Sequence, residues 1–244
     1  MNWIIDFECL KNLFNNKTKL IIFSNPNYLL GKVYTKNELE FITNLCKKWN
    51  VLCVVDECLD STVVHNKHIR MATLSETWNR TLTIGGSGVT YGRTGWKVAW
   101  VYGPEKLVNR IKVVHQLSFS SFTPVQETLA RTIEKYGFEY FQSNYADNRD
   151  LLLKYLKKCG FRNIINPEGG YYIVVEINFK QNHQDVSNDY ATECLTSPYG
   201  ILGVPIINYG NENKSIFFCF SFAQKLETIQ LAGSRLQSQI PTKF

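Results

Sequence analysis

Apolar and polar positions along the first two thirds of the chain alternate between two periods. Lys19–Ser24 (KLIIFS), Val51–Asp56 (VLCVVD), Thr81–Gly85 and Val98–Tyr102 are short, mostly apolar and rich in β-branched residues. Strands buried on both faces of a parallel sheet read this way. Between the first two, Leu39, Ile42, Leu45, Cys46 and Trp49 fall on one helical stripe, and Thr35 with Glu38 forms a capping box at its start. Pro104 opens a second helix through Val114, and Pro124 a third through about Lys135. A further helix begins within a few residues of Met1. The pattern predicts an α/β fold, a mainly parallel sheet flanked by helices.

After Tyr145 the character changes. A helix around Asp150–Cys159 leads to a strand over Tyr171–Ile177. A short helix near Asn188–Leu195, strands Gly203–Ile207 and Ser215–Ser221, and a terminal helix from Ala223 to about Gln237 complete the chain. This reads as a smaller α+β domain, with the boundary between residues 1–145 and 146–244.

Composition adds exclusions. The longest apolar run, Val51–Val55, is far short of the roughly 20 residues a membrane-spanning helix needs. The net charge is +6, spread along the chain in pairs such as Lys47-Lys48 and Lys157-Lys158. Solvated helix faces account for such pairs, whereas a nucleic-acid footprint wants a denser stripe. Neither a membrane nor a nucleic acid is an expected partner. Seven cysteines, an odd number without a C-x-x-C pair, predict buried free thiols in a reducing compartment, hence a cytoplasmic location. No metal site is expected, since His65, His68, His115 and His183 lack ligand spacing.

The segments SNPNYLLGKVYTKNELEFITNLCKKW, VLCVVDEC, ETWNRTLTIGGSGVTYGRTGWKVAWVYGPEKL, TPVQETLA, PEGGYYIV and IFFCFS follow one another between Ser24 and Ser221, within a likeness that runs from about Trp3 to Leu236. Each alone is a weak signal. As an ordered set they resemble the pyridoxal-phosphate (PLP) aminotransferases of fold type I, class I/II, most of all the kynurenine aminotransferase / cysteine-S-conjugate β-lyase type. The resemblance implies a partial PLP-binding large domain followed by a small domain. It also implies a list of site groups: a lysine for the covalent link to PLP, an Asp for the pyridine nitrogen, Tyr and Asn for the ring oxygen, Ser and a cation for the phosphate, and an Arg clamping the substrate carboxylate.

Laid on this chain, the resemblance places the Asp at Asp56 and the phosphate cation at Lys97. The lysine position is Val89, and the phosphate serine position is Gly86, beside Ser87. The Tyr position is Leu59, the Asn position Tyr28, and the arginine position Phe217. Valine offers no nucleophile, and phenylalanine gives a carboxylate only an apolar wall. These departures imply a catalytically inactive homologue with no catalytic or substrate residue, no cofactor, and only vestigial cofactor contacts at Asp56 and Lys97. Asp56 also reads as a cap at a strand end, and Lys97 as a solvated lysine. The competing reading is an active PLP-dependent kynurenine–oxoglutarate transaminase or β-lyase.

The resemblance begins inside the family's large domain, so a fragment or a truncated product is expected, with a mitochondrial location open if a leading segment is missing. It also implies an uncovered large-domain face that a second copy or another protein would cover, with Trp49, Trp96 and Trp100 as exposed candidates.

Overall fold

The computed structural model describes residues 3–63, 68–118, 122–137, 145–177, 196, 200–206 and 216–239. It divides into two compact units, residues 4–28 with 32–143, and residues 144–244 together with the short segments 1–3 and Leu29–Gly31. The expected helix at Asn188–Leu195 lies outside the described residues, as do His65 and His183.

In the first unit, α1 (Phe7–Leu13) precedes β1 (Leu20–Ser24), α2 (Lys36–Trp49) and β2 (Leu52–Asp56). Then come β3 (Thr81–Gly86), α3 (Ser87–Thr90), β4 (Ala99–Tyr102), α4 (Glu105–Ser118) and α5 (Thr123–Tyr136). The sheet order is β1-β2-β3-β4; the first three strands run parallel and β4 antiparallel to β3. The parallel register sets Ser24, Asp56 and Ile84 side by side. The C-terminal end of β2 is thereby flanked on both sides by its neighbours' ends.

Helix α2 forms where its apolar stripe predicts. Its capping box is complete: the Glu38 N–H donates to Thr35 Oγ1 at 3.3 Å and the Thr35 N–H to Glu38 Oε2 at 2.9 Å. Leu39, Ile42, Leu45 and Cys46 pack with Val51, Cys53 and Val55 into one apolar cluster, joined by Ile21 and Phe23. Strand alternation sends the remaining side chains of β1 and β2 the other way. There Leu20 is 45% exposed, Ile22 67% and Leu52 36%. One face of the sheet is packed and the other stays open along β1 and β2. The tryptophans expected on that surface are not the exposed ones. Trp49, Trp96 and Trp100 are all half-buried, Trp100 because its indole lies across Gly85 and Trp96 because the Arg93 guanidinium stacks on it at 5.7 Å.

The second unit has α6 (Ala146–Lys158), β5 (Arg162–Ile165), β6 (Tyr172–Ile177), β7 (Val204–Ile206), β8 (Ile216–Ser221) and α7 (Leu226–Gln239). Its sheet is antiparallel throughout, in the order β5-β6-β8-β7. Leu152, Leu156, Ile173, Phe218, Phe222 and Leu236 anchor its core. Among the described residues no helix is long and apolar enough to cross a membrane.

Candidate functional site

The C-terminal ends of parallel strands are where open α/β sheets collect functional groups, and here β2 delivers three in succession: Asp56, Glu57 and Cys58. Asp56 is half-buried. Its Oδ1 accepts the Cys58 N–H at 3.0 Å and the Tyr28 hydroxyl at 3.4 Å. Burial, then the neighbouring Cys58 and Asp56, push the Tyr28 phenol well above its ordinary range, so it keeps its proton and donates. Burial and Asp56 likewise push the Cys58 thiol up to about 12. A thiol so protonated is no nucleophile at neutral pH.

Glu57 points the opposite way, into the protein. It is 2% exposed; Arg70 Nη1 donates to its Oε2 at 3.0 Å and the Met71 N–H to its Oε1 at 3.2 Å. The same guanidinium reaches Asp60 at 2.6 Å and the Tyr102 hydroxyl at 3.1 Å. Burial raises the Glu57 carboxyl to about 7 despite these partners. Beside this cluster Asn25, fully buried, takes the Tyr34 N–H on its Oδ1 at 3.1 Å and donates to the Ile69 carbonyl at 3.2 Å. The His68 ring contacts the Asn25 carbonyl at 2.9 Å, and its pKa is lowered by burial.

The residues singled out by the resemblance fall as follows. Val89 sits half-buried on α3, the single turn that follows β3. Gly86 ends β3, and a Cβ there would stand 3.1 Å from Cys58 Sγ, so a serine would crowd the thiol. Ser87 is fully buried, with both its hydroxyl and its N–H donating to the Val98 carbonyl at 2.9 Å. That hydroxyl points at the backbone and is closed off from any ligand. Leu59 is 2% exposed. Lys97 is exposed and holds a left-handed φ of 53° at the end of the turn Thr94–Trp96. Phe217, on β8 in the other unit, stands opposite Glu176 and Ile206 and packs with Ile165, Val174 and Cys219.

The structure thus brings Asp56, Tyr28, Cys58 and Gly86 together in one unit. Sequence reasoning missed Cys58, although the carboxylate–carboxylate–thiol run at a strand end was a readable signal. It also missed the Glu57–Arg70–Asp60 cluster, whose partners come from a stretch without regular periodicity. These residues do not fit a phosphate-bearing pyridine cofactor held through a lysine. There is no amine at 89 and no free hydroxyl at 86 or 87.

The family model described as aminotransferase class I and II matches residues 1–214. Kynurenine–oxoglutarate transaminase 3 of Homo sapiens is 34% identical over 243 residues, covering 90% of this chain and 53% of that protein. Kynurenine–oxoglutarate transaminase 1 of Homo sapiens is 35% identical over 264 residues, 97% of this chain and 61% of that one. Among solved structures, Bna3p of Saccharomyces cerevisiae is 26% identical with a TM-score of 0.87, covering 99% of this chain and 62% of that chain. The chain spans little more than half the length of these relatives.

Proposed function

This chain belongs to the class I and class II aminotransferases, and on that premise we propose that it is a kynurenine-aminotransferase-type protein that carries out no transamination. The observation that carries the reading is Val89 on the turn after β3, the position that the resemblance gives to the cofactor lysine. No neighbouring group substitutes for a primary amine there: Cys58 is protonated, Ser87 is sealed against Val98, and Thr90 donates to the Cys58 carbonyl at 3.0 Å. Phe217 in the arginine position removes the bidentate partner of a substrate carboxylate. Nothing in this reading requires a bound cofactor.

The test is a titration of the chain with PLP, followed by borohydride reduction and peptide mass spectrometry, alongside a kynurenine and 2-oxoglutarate turnover assay. The expected result is no reduced lysine adduct in stoichiometric yield and no turnover above that of free PLP. A stoichiometric adduct, or turnover above that background, overturns the proposal.

The reading of an active kynurenine–oxoglutarate transaminase or β-lyase has one specific observation in its favour, the Asp56 carboxylate at the end of β2. That reading requires the adduct on a lysine other than residue 89, and the same mass spectrum names it.

A further inference from the structure

The second unit contains a cavity of about 240 Å³ between α7, the end of β8 and residues 200–202. Helix α7 supplies six of the lining residues. Ile229 and Leu236 turn into the core, and Gly233 lies so close to the Tyr155 ring that a Cβ would overlap it. Thr228, Leu231, Ala232 and Arg235, spaced for one helical face, line the cavity beside Ile229 and Leu236. Leu152, Ile201 and Phe220, all buried, form an apolar floor, while Leu202 and Leu231 stand exposed at the rim. Ala232 leaves the volume that a larger residue would fill.

Arg235 is the one charged side chain among the described residues that line this cavity, and among the described residues it makes no ion pair. Its guanidinium lies close over Gly200. A Cβ there would stand 3.0 Å from Arg235 Nη1, and the backbone holds φ +61°, which other residues adopt only under strain. Ser221 and Thr228 also line the cavity.

We infer that this cavity binds a small amphipathic carboxylate, its anionic head on Arg235 and its apolar tail against Phe220 and Ile201. One planar guanidinium suits a carboxylate, which it engages bidentately, whereas a dianionic phosphate would want further cations. The volume lies below the roughly 300–1,000 Å³ of drug-sized ligand sites. The tail is therefore a single ring or a short branched chain. The site is separate from the Asp56 cluster and independent of the proposed loss of transamination.

The test uses the full chain and 4-fluorobenzoate, followed by fluorine NMR line broadening, with 4-fluorobenzyl alcohol as the uncharged counterpart. Saturable broadening by the carboxylate is expected, with binding of the alcohol about tenfold weaker, in line with the loss of a charge-assisted hydrogen bond. Arg235→Gln, on the helix surface, lowers affinity about tenfold. Ala232→Phe, which fills the cavity, abolishes binding with an unchanged far-ultraviolet dichroism spectrum. Lys17→Gln, the same charge change in the other unit, binds as the parent does. Absence of saturable broadening in the parent, equal binding of the alcohol, or parental affinity in either Arg235→Gln or a folded Ala232→Phe each overturns the inference.

Discussion

Glu57→Gln removes a titratable group from beneath Arg70 while leaving an amide oxygen to accept the Met71 N–H, and Arg70 keeps Asp60 as its partner. The native carboxyl is raised from its ordinary value of 4.5 to about 7, first by burial. A carboxyl raised on folding makes the native state bind the extra proton between those two values. The stability it contributes is fully present below about pH 4.5 and is lost as pH rises through about 7. At ~1.4 kcal/mol per pH unit of that interval, the loss is at most roughly 3 kcal/mol. The partial exposure of Arg70 makes ~1–3 kcal/mol the range to expect. Urea unfolding at pH 5, 6, 7 and 8, followed by tryptophan fluorescence, measures it. His68, whose burial works in the opposite direction, is common to both proteins and cancels in the difference. The variant should gain on the parent progressively from pH 5 to 8. Parallel stability curves, or a variant that loses ground as pH rises, would show that Glu57 is not held protonated.

Three further outcomes follow from the same geometry. Val89→Lys alone should restore neither visible cofactor absorbance at stoichiometric PLP nor kynurenine turnover, because Gly86, Ser87, Leu59 and Tyr28 remain and groups that act as a unit are strongly non-additive; an absorbance spectrum of the variant decides. Thr35→Ala removes the cap of α2 and should cost ~1 kcal/mol, read from the urea midpoint at constant m-value. Ile22→Lys, at 67% exposure on the open sheet face, should reduce self-association and apolar-dye binding, seen by light scattering and dye fluorescence, while leaving the unfolding midpoint within ~0.5 kcal/mol.

What the chain discloses on paper is the part governed by local rules. The α2 stripe and its Thr35–Glu38 box depend on residues three and four apart, and they appear in the structure as written. The three parallel strands announce themselves by β-branched runs. The antiparallel direction of β4 is not visible, because strand direction depends on the path of the connection and not on side-chain period. Strand β5 is hidden because Arg162 and Asn163 break its apolar pattern, and it is held by pairing with β6. At the site, Asp56 is conspicuous at the end of an apolar run, whereas its contact with Tyr28 spans 28 residues of sequence and exists only once β1 and β2 are paired. The half-burial of Trp100 has a similar origin. It depends on Gly85 standing directly across the strand pair, a coincidence of register that no local pattern encodes.

The order of the first sheet has a consequence for the nascent chain. Among the described residues β1 and β4 are its rims, so β1 offers one row of main-chain donors and acceptors to the outside. Its sequence, LIIFS, carries no charge and no proline, the composition of segments that stack between molecules. Its proper partner β2 arrives only after 27 intervening residues and a helix have folded, since parallel pairing needs a crossover connection. During that wait, pairing with another molecule competes in proportion to concentration, while closure onto β2 does not. Dilution and low temperature during refolding therefore favour the monomer. A refolding yield that falls as protein concentration rises is the expected sign of this contest at β1.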